Sequence, residues 1–196
     1  MNDLHRVFYH ELGHFVAHEI NRLHYHGSGT KSIIIYPTSQ NPDLYVGDAK
    51  INLSADEKER DSPSSEILPE YLVSSSYGCV FQAYYTKTAF DDCFKVNGQK
   101  DEEQWYWALR NNKLDDYKSE ITANEREFFN KLVEEKLLDK FMTLDPDKYL
   151  AKIDSTNYAV NIDLLRQDTK EMIKEHAPVY ARLVEKNKMF VEKHKQ

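Results

Sequence analysis

Phe8, Leu12, Phe15, Val16, Ile20 and Leu23 recur at helical spacing and lay an apolar stripe along the first segment of the chain. The pattern predicts a helix over about 3–23, stopped by the breaker Gly27-Ser28-Gly29. Lys31 to Pro37 is a β-branched run and reads as a strand. Leu44 to Leu53 reads as a second strand, with Tyr45, Val46, Ala49, Ile51 and Leu53 apolar and a bulge or kink expected at Gly47-Asp48. Turn residues over 38–43 join the two into an antiparallel hairpin, and the charged stretch 54–65 around Pro63 reads as a solvated loop.

Residues 66–85 are the most apolar of the chain and read as a buried helix that Pro69 disturbs only mildly. A connection is expected over 86–100, ending in the turn Val96-Asn97-Gly98. A helix then opens at Asp101, where acidic residues in the first turn suit the helix dipole. Thr122-Ala123-Asn124-Glu125 has the form of a capping box for a helix reaching about 143, ended by Asp145-Pro146. A last helical region runs from 161, with a kink or break at His176-Ala177-Pro178. The expected fold is mainly α with one small antiparallel β-hairpin, built as one domain over 1–196.

Charge and composition narrow the partners. A net charge of −7 argues against nucleic acid, which needs a basic surface. No run of eighteen apolar residues is present, so no membrane span is expected. The first helix starts within the first residues, which leaves no room for a signal peptide and makes the cytoplasm the expected location. Cys79 and Cys93 are the two cysteines; they form no disulfide framework and lack the spacing of a metal-ligand pair, and Cys79 reads as a buried thiol.

The candidate chemistry sits on the first helix. His10-Glu11-Leu12-Gly13-His14 puts two imidazoles one turn apart on one helix face, where they can hold one Zn²⁺. Glu11 projects beside them and is the candidate catalytic residue, a general base toward a zinc-activated water. His18 is a further turn along, about 12 Å of helix rise from His10, so it cannot join His10 on one ion. It reads as a supporting or surface residue, and His5, His24 and His26 read as solvated. The third ligand must come from downstream, where Glu70, Asp91, Asp92 and Asp101 are the acidic choices.

The order of these features resembles the peptidase domain of the FtsH-type AAA+ zinc proteases. That family's motif helix carries H-E-x-G-H, as His10 to His14 do here. A short β segment follows, then an apolar helix with small residues, here Leu72 to Val80 with Gly78, then a glycine turn into a helix whose first residues include an Asp. The matching segment is Asn97-Gly98-Gln99-Lys100-Asp101. The resemblance implies His10, His14 and Asp101 as zinc ligands, a polypeptide substrate, and either a homo-oligomer or a separate ATPase partner. No counterpart of the family's ATPase module and membrane anchor is expected before the motif helix, and Gly78 and Gly98 stand where the family is richer in glycine.

Three readings follow. The first is a zinc metallopeptidase hydrolysing peptide bonds. The second is a catalytically inactive metal-binding domain of the same fold, used for interaction or regulation. The third is a metal-free helical protein with a chance motif. Retention of Glu11, which ligation does not need, favours the first.

Overall fold

A computed structural model describes residues 2–51 and 63–194. Helix α1 spans Asp3–His24 and is capped by the Asn2 side chain, which accepts from the Leu4 amide. Strands β1 (Thr30–Pro37) and β2 (Tyr45–Ile51) follow, then α2 (Leu68–Thr86). A helical turn at Phe90–Asp92 runs into a π-helical turn at Cys93–Asn97 and on to α3 (Gln99–Asn111). Helix α4 (Lys118–Glu134), the short strands β3 (Leu150–Lys152) and β4 (Tyr158–Val160), and the long α5 (Ile162–His194) complete the chain.

The protein is mainly helical with one small antiparallel sheet, as the pattern predicts. The expected hairpin is half of that sheet, whose order is β2-β1-β4-β3. Strands β3 and β4 were not expected, because three-residue strands are too short to show alternation. The irregularity in the β1–β2 ladder falls between Thr30 and Ser32; Gly47 and Asp48 pair regularly with Ile35 and Ile34. The loop expected over 54–65 falls almost wholly outside the described residues.

Helix α1 is the centre of the core. Phe8, Leu12, Phe15, Val16 and Ile20 are buried beneath α2, the sheet and α5, whereas Leu23, at the end of the stripe, is 53% exposed. Glu19 fixes the far end of α1 to the sheet. Its Oε1 accepts from the Thr30 amide at 3.1 Å and from Arg166 Nη2 on α5 at 2.9 Å. Charge-assisted bonds of this kind hold a buried carboxylate ionised, and here they outweigh burial and lower its pKa.

Four expectations are corrected downstream. The stretch 86–100 is not a plain connection, since Phe90, Cys93 and Phe94 in its helical turns are buried. Thr122 to Glu125 is no capping box: α4 begins at Lys118, and Thr122 Oγ1 donates back to the Lys118 carbonyl at 2.9 Å. The helix also stops at Glu134 rather than near 143, before a turn in which Lys136 takes a positive φ of 54°. Pro178 lies inside α5, which continues to His194, so of the kink or break expected there the break is absent.

Glu125 has a core role instead. It is buried, and its Oε1 accepts from Trp105 Nε1 on α3 at 3.0 Å. Burial raises its carboxyl to about 8, against an ordinary value of 4.5. Between those values the folded chain keeps a proton that the unfolded chain has released, so this group's contribution to stability is lost as pH rises toward 8. The expected loss is on the order of 3 kcal/mol across the window. Urea unfolding of wild type and Glu125→Gln at about pH 5 and about pH 8 isolates it, because other titrating groups cancel in the difference. Identical pH dependence in the two proteins would show that Glu125 ionises in place.

Candidate metal centre

Helices α1 and α2 run antiparallel in unusually close contact, and two glycines permit it. A Cβ on Gly13 would lie 2.2 Å from the Tyr77 carbonyl oxygen. A Cβ on Gly78 would lie 2.3 Å from His14 Nε2 and 2.8 Å from His10 Nε2. The missing side chain of Gly78 is therefore the floor of the histidine pair. Gly98, just before α3, performs the same service for the third partner. It brings the first turn of α3 over the motif helix with Asp101 pointing inward.

Three donor atoms converge there. Asp101 Oδ2 lies 2.9 Å from His10 Nε2 and 3.4 Å from His14 Nε2, and the two imidazole nitrogens are 3.2 Å apart. The opposite nitrogens settle the tautomers. His14 Nδ1 faces the Ser74 carbonyl at 2.9 Å, which can only accept, so Nδ1 carries the hydrogen. His10 Nδ1 faces Gln82 Oε1 at 3.1 Å, and Arg6 Nη1 donates to that same oxygen at 3.1 Å. Both Nε2 lone pairs thus point at one spot beside a carboxylate, the arrangement in which histidines behind a backing acceptor hold a metal.

Electrostatics describe the same demand. Burial would lower both imidazoles, yet Asp101 against them raises His10 well above, and His14 above, the ordinary value. Burial would raise Asp101, yet the two histidines hold its carboxyl well below the usual range. Two imidazoles and a carboxylate packed this closely require positive charge between them, a proton or a cation. The donor set fits Zn²⁺, which takes His and Asp ligands at about 2.0–2.2 Å.

Glu11 is buried at the edge of this cluster, on the side facing β2. A Cβ on Gly47 would lie 2.1 Å from Glu11 Oε1, so the bare backbone of β2 leaves room for the carboxylate. Burial, opposed by His10 and His14, raises the Glu11 carboxyl, which makes it a stronger base. The cluster opens into a cleft of about 1380 Å³ that runs between β2, α1, α2 and the start of α3. Tyr36, Leu44, Val46 and Trp107 stand exposed along its rim.

The other sequence candidates lie elsewhere. Glu70 accepts from His26 Nδ1 at 3.0 Å, Asp91 pairs with Arg126, and Asp92 is exposed. His5 and His26 are not merely solvated, since His5 pairs with Asp147 and His26 with Glu70. His24 is exposed, as expected. His18 stacks beyond His14, ring centroids 6.3 Å apart, and lines the cleft; burial pushes it down to about 3, so it stays neutral. Sequence reading missed Ser74 and Gln82, which set the tautomers, because nothing local marks a residue that acts across two helices.

No protein-family model, curated protein or solved structure matches the chain. Among the described residues, two groups of at least three metal-ligating side chains come together. One is His10, His14 and Asp101; the other is His10, Cys79 and Cys93. No described helix is long and apolar enough to cross a membrane.

Proposed function

We propose that this chain is a zinc-dependent metallopeptidase, similar in plan to the peptidase domain of the FtsH-type proteases. The observation that carries the reading is the convergence of His10 Nε2, His14 Nε2 and Asp101 Oδ2 beside a buried Glu11 at the floor of an open cleft. A zinc ion held by these three residues would polarise a carbonyl and acidify water beside it. Glu11, with its raised carboxyl, accepts a proton from the attacking water and passes it to the departing amine.

The cleft suits an extended chain. Strand β2 is an edge strand of the described sheet and borders the cleft along its length, so a peptide backbone can lie beside it as an added strand. The exposed apolar rim offers contacts for alternate side chains. A cleft entered by an extended segment favours unfolded or flexible substrates. The reading brings with it a polypeptide substrate, a cytoplasmic setting, and a second copy or a separate ATPase as the means of supplying unfolded chain.

Cleavage of denatured casein by zinc-loaded wild type and Glu11→Gln tests the proposal. The variant is expected to lose about 10²–10⁴-fold in rate while keeping its metal, because general-base catalysis contributes on that scale. Equal cleavage by both would assign the activity to a contaminant. With metal still bound, that result would favour the non-catalytic metal-binding reading.

A further inference from the structure

The two cysteines lie against the metal centre without belonging to it. Cys79 follows Gly78 on α2, and Cys93 opens the π-helical turn before α3; both are free thiols and fully buried. A Cβ on Gly98 would lie 2.2 Å from Cys79 Sγ and 3.4 Å from Asp101 Oδ2, so thiol and carboxylate both stand beside that glycine. The ligand atoms of Cys79, Cys93 and His10 fall within 4.8 Å of one another. A tetrahedral ion bound by two sulfurs and one nitrogen holds its donors roughly 3.5–3.8 Å apart. Side-chain movement of at most about 1.0–1.3 Å closes that difference.

We propose that Cys79, Cys93 and His10 form a second metal-binding set, for a soft or borderline ion such as Zn²⁺, Cu⁺ or Cd²⁺, and that it competes with the His10, His14 and Asp101 set for one nitrogen. His10 Nδ1 is occupied by Gln82, which leaves the single lone pair of Nε2 for either ion. One lone pair serves one metal, so filling the thiolate set empties the other. Thiolates select soft ions, whereas the imidazole–carboxylate set suits harder ones. The inference goes beyond peptide hydrolysis and does not depend on it.

Cadmium is the probe. Reduced, zinc-loaded protein is titrated with Cd²⁺ in the absence of oxygen, with ultraviolet absorption and released zinc followed together. The expected result is strong sulfur-to-cadmium charge transfer with one zinc released per cadmium bound. Cys79→Ala/Cys93→Ala is expected to abolish the charge transfer and still bind zinc. His14→Ala/Asp101→Ala is expected to keep it, and His10→Ala to weaken cadmium binding. If the double cysteine variant does not fold, each single replacement is expected to remove about half of the band, since the thiolates contribute alike. No charge transfer in wild type, or a band that survives the cysteine replacements, overturns the site. Cadmium uptake without zinc release overturns the shared nitrogen. Glu11→Gln leaves every one of these signals in place, so the peptidase reading can fail without touching this one.

Discussion

Asp101→Ala, made in a Cys79→Ala/Cys93→Ala background so that only one donor set remains, is expected to lower zinc affinity by roughly 10²–10³-fold. The magnitude follows from an apparent zinc binding energy of about 10–16 kcal/mol shared among four ligands. Asp101 supplies the only carboxylate of the set, and its loss leaves two neutral imidazoles whose lone pairs face each other at 3.2 Å. The helix itself is not at stake. Asp101 sits in the first turn of α3, while the helix is anchored by buried Trp105, Ala108 and Leu109 further along. Competition titration with a chromophoric chelator gives the affinity, and circular dichroism checks that helix content is unchanged. Glu70→Ala is the control. Glu70 pairs with His26 and is expected to leave zinc affinity as it was. The reverse outcome, with Glu70 essential and Asp101 dispensable, would move the third ligand to α2 and sink the assignment.

Gly13→Ala is expected to destabilise the fold by about 2–3 kcal/mol, against the ordinary rule that Ala gains about 1 kcal/mol over Gly inside a helix. The added methyl meets backbone only: the Tyr77 carbonyl oxygen at 2.2 Å, its carbon at 2.8 Å and Gly78 Cα at 3.0 Å. No flexible side chain can step aside, so α1 and α2 must separate. That separation draws His14 Nδ1 away from the Ser74 carbonyl and loosens the tautomer that aims Nε2 at the metal. Urea unfolding reads the first effect and zinc affinity the second. A variant as stable as wild type, or more stable, would mean that helix propensity prevails and that the helices are not in backbone contact at Gly13.

These two residues mark the limits of what a sequence can say. Gly13 stands out as a helix-interior glycine with no local reason to be there. Both close backbone approach and plain packing account for it, and the position of Tyr77 on a helix sixty residues away decides for the first. Asp101 is one of several acidic residues downstream of the motif, and its first-turn position is equally suited to the helix dipole. Only the fold brings its oxygen to 2.9 Å from His10.

The sequence by itself determined what depends on neighbours along the chain. The motif helix, the β1–β2 hairpin and the apolar α2 are written in periodicities of 3.6 and 2 residues. The pairing of His10 with His14 and the flanking position of Glu11 follow from helix geometry alone. Tertiary structure decided everything that joins residues remote in sequence. It completed the sheet with two strands too short to be seen, turned Glu125 from an expected cap into a buried partner of Trp105, and set the tautomers through Ser74 and Gln82. It also brought two unremarkably spaced cysteines against His10. The physical reason is common to all of these. Local patterns record which face of an element is apolar, whereas a site is made where faces of different elements meet, and no short-range spacing encodes that meeting.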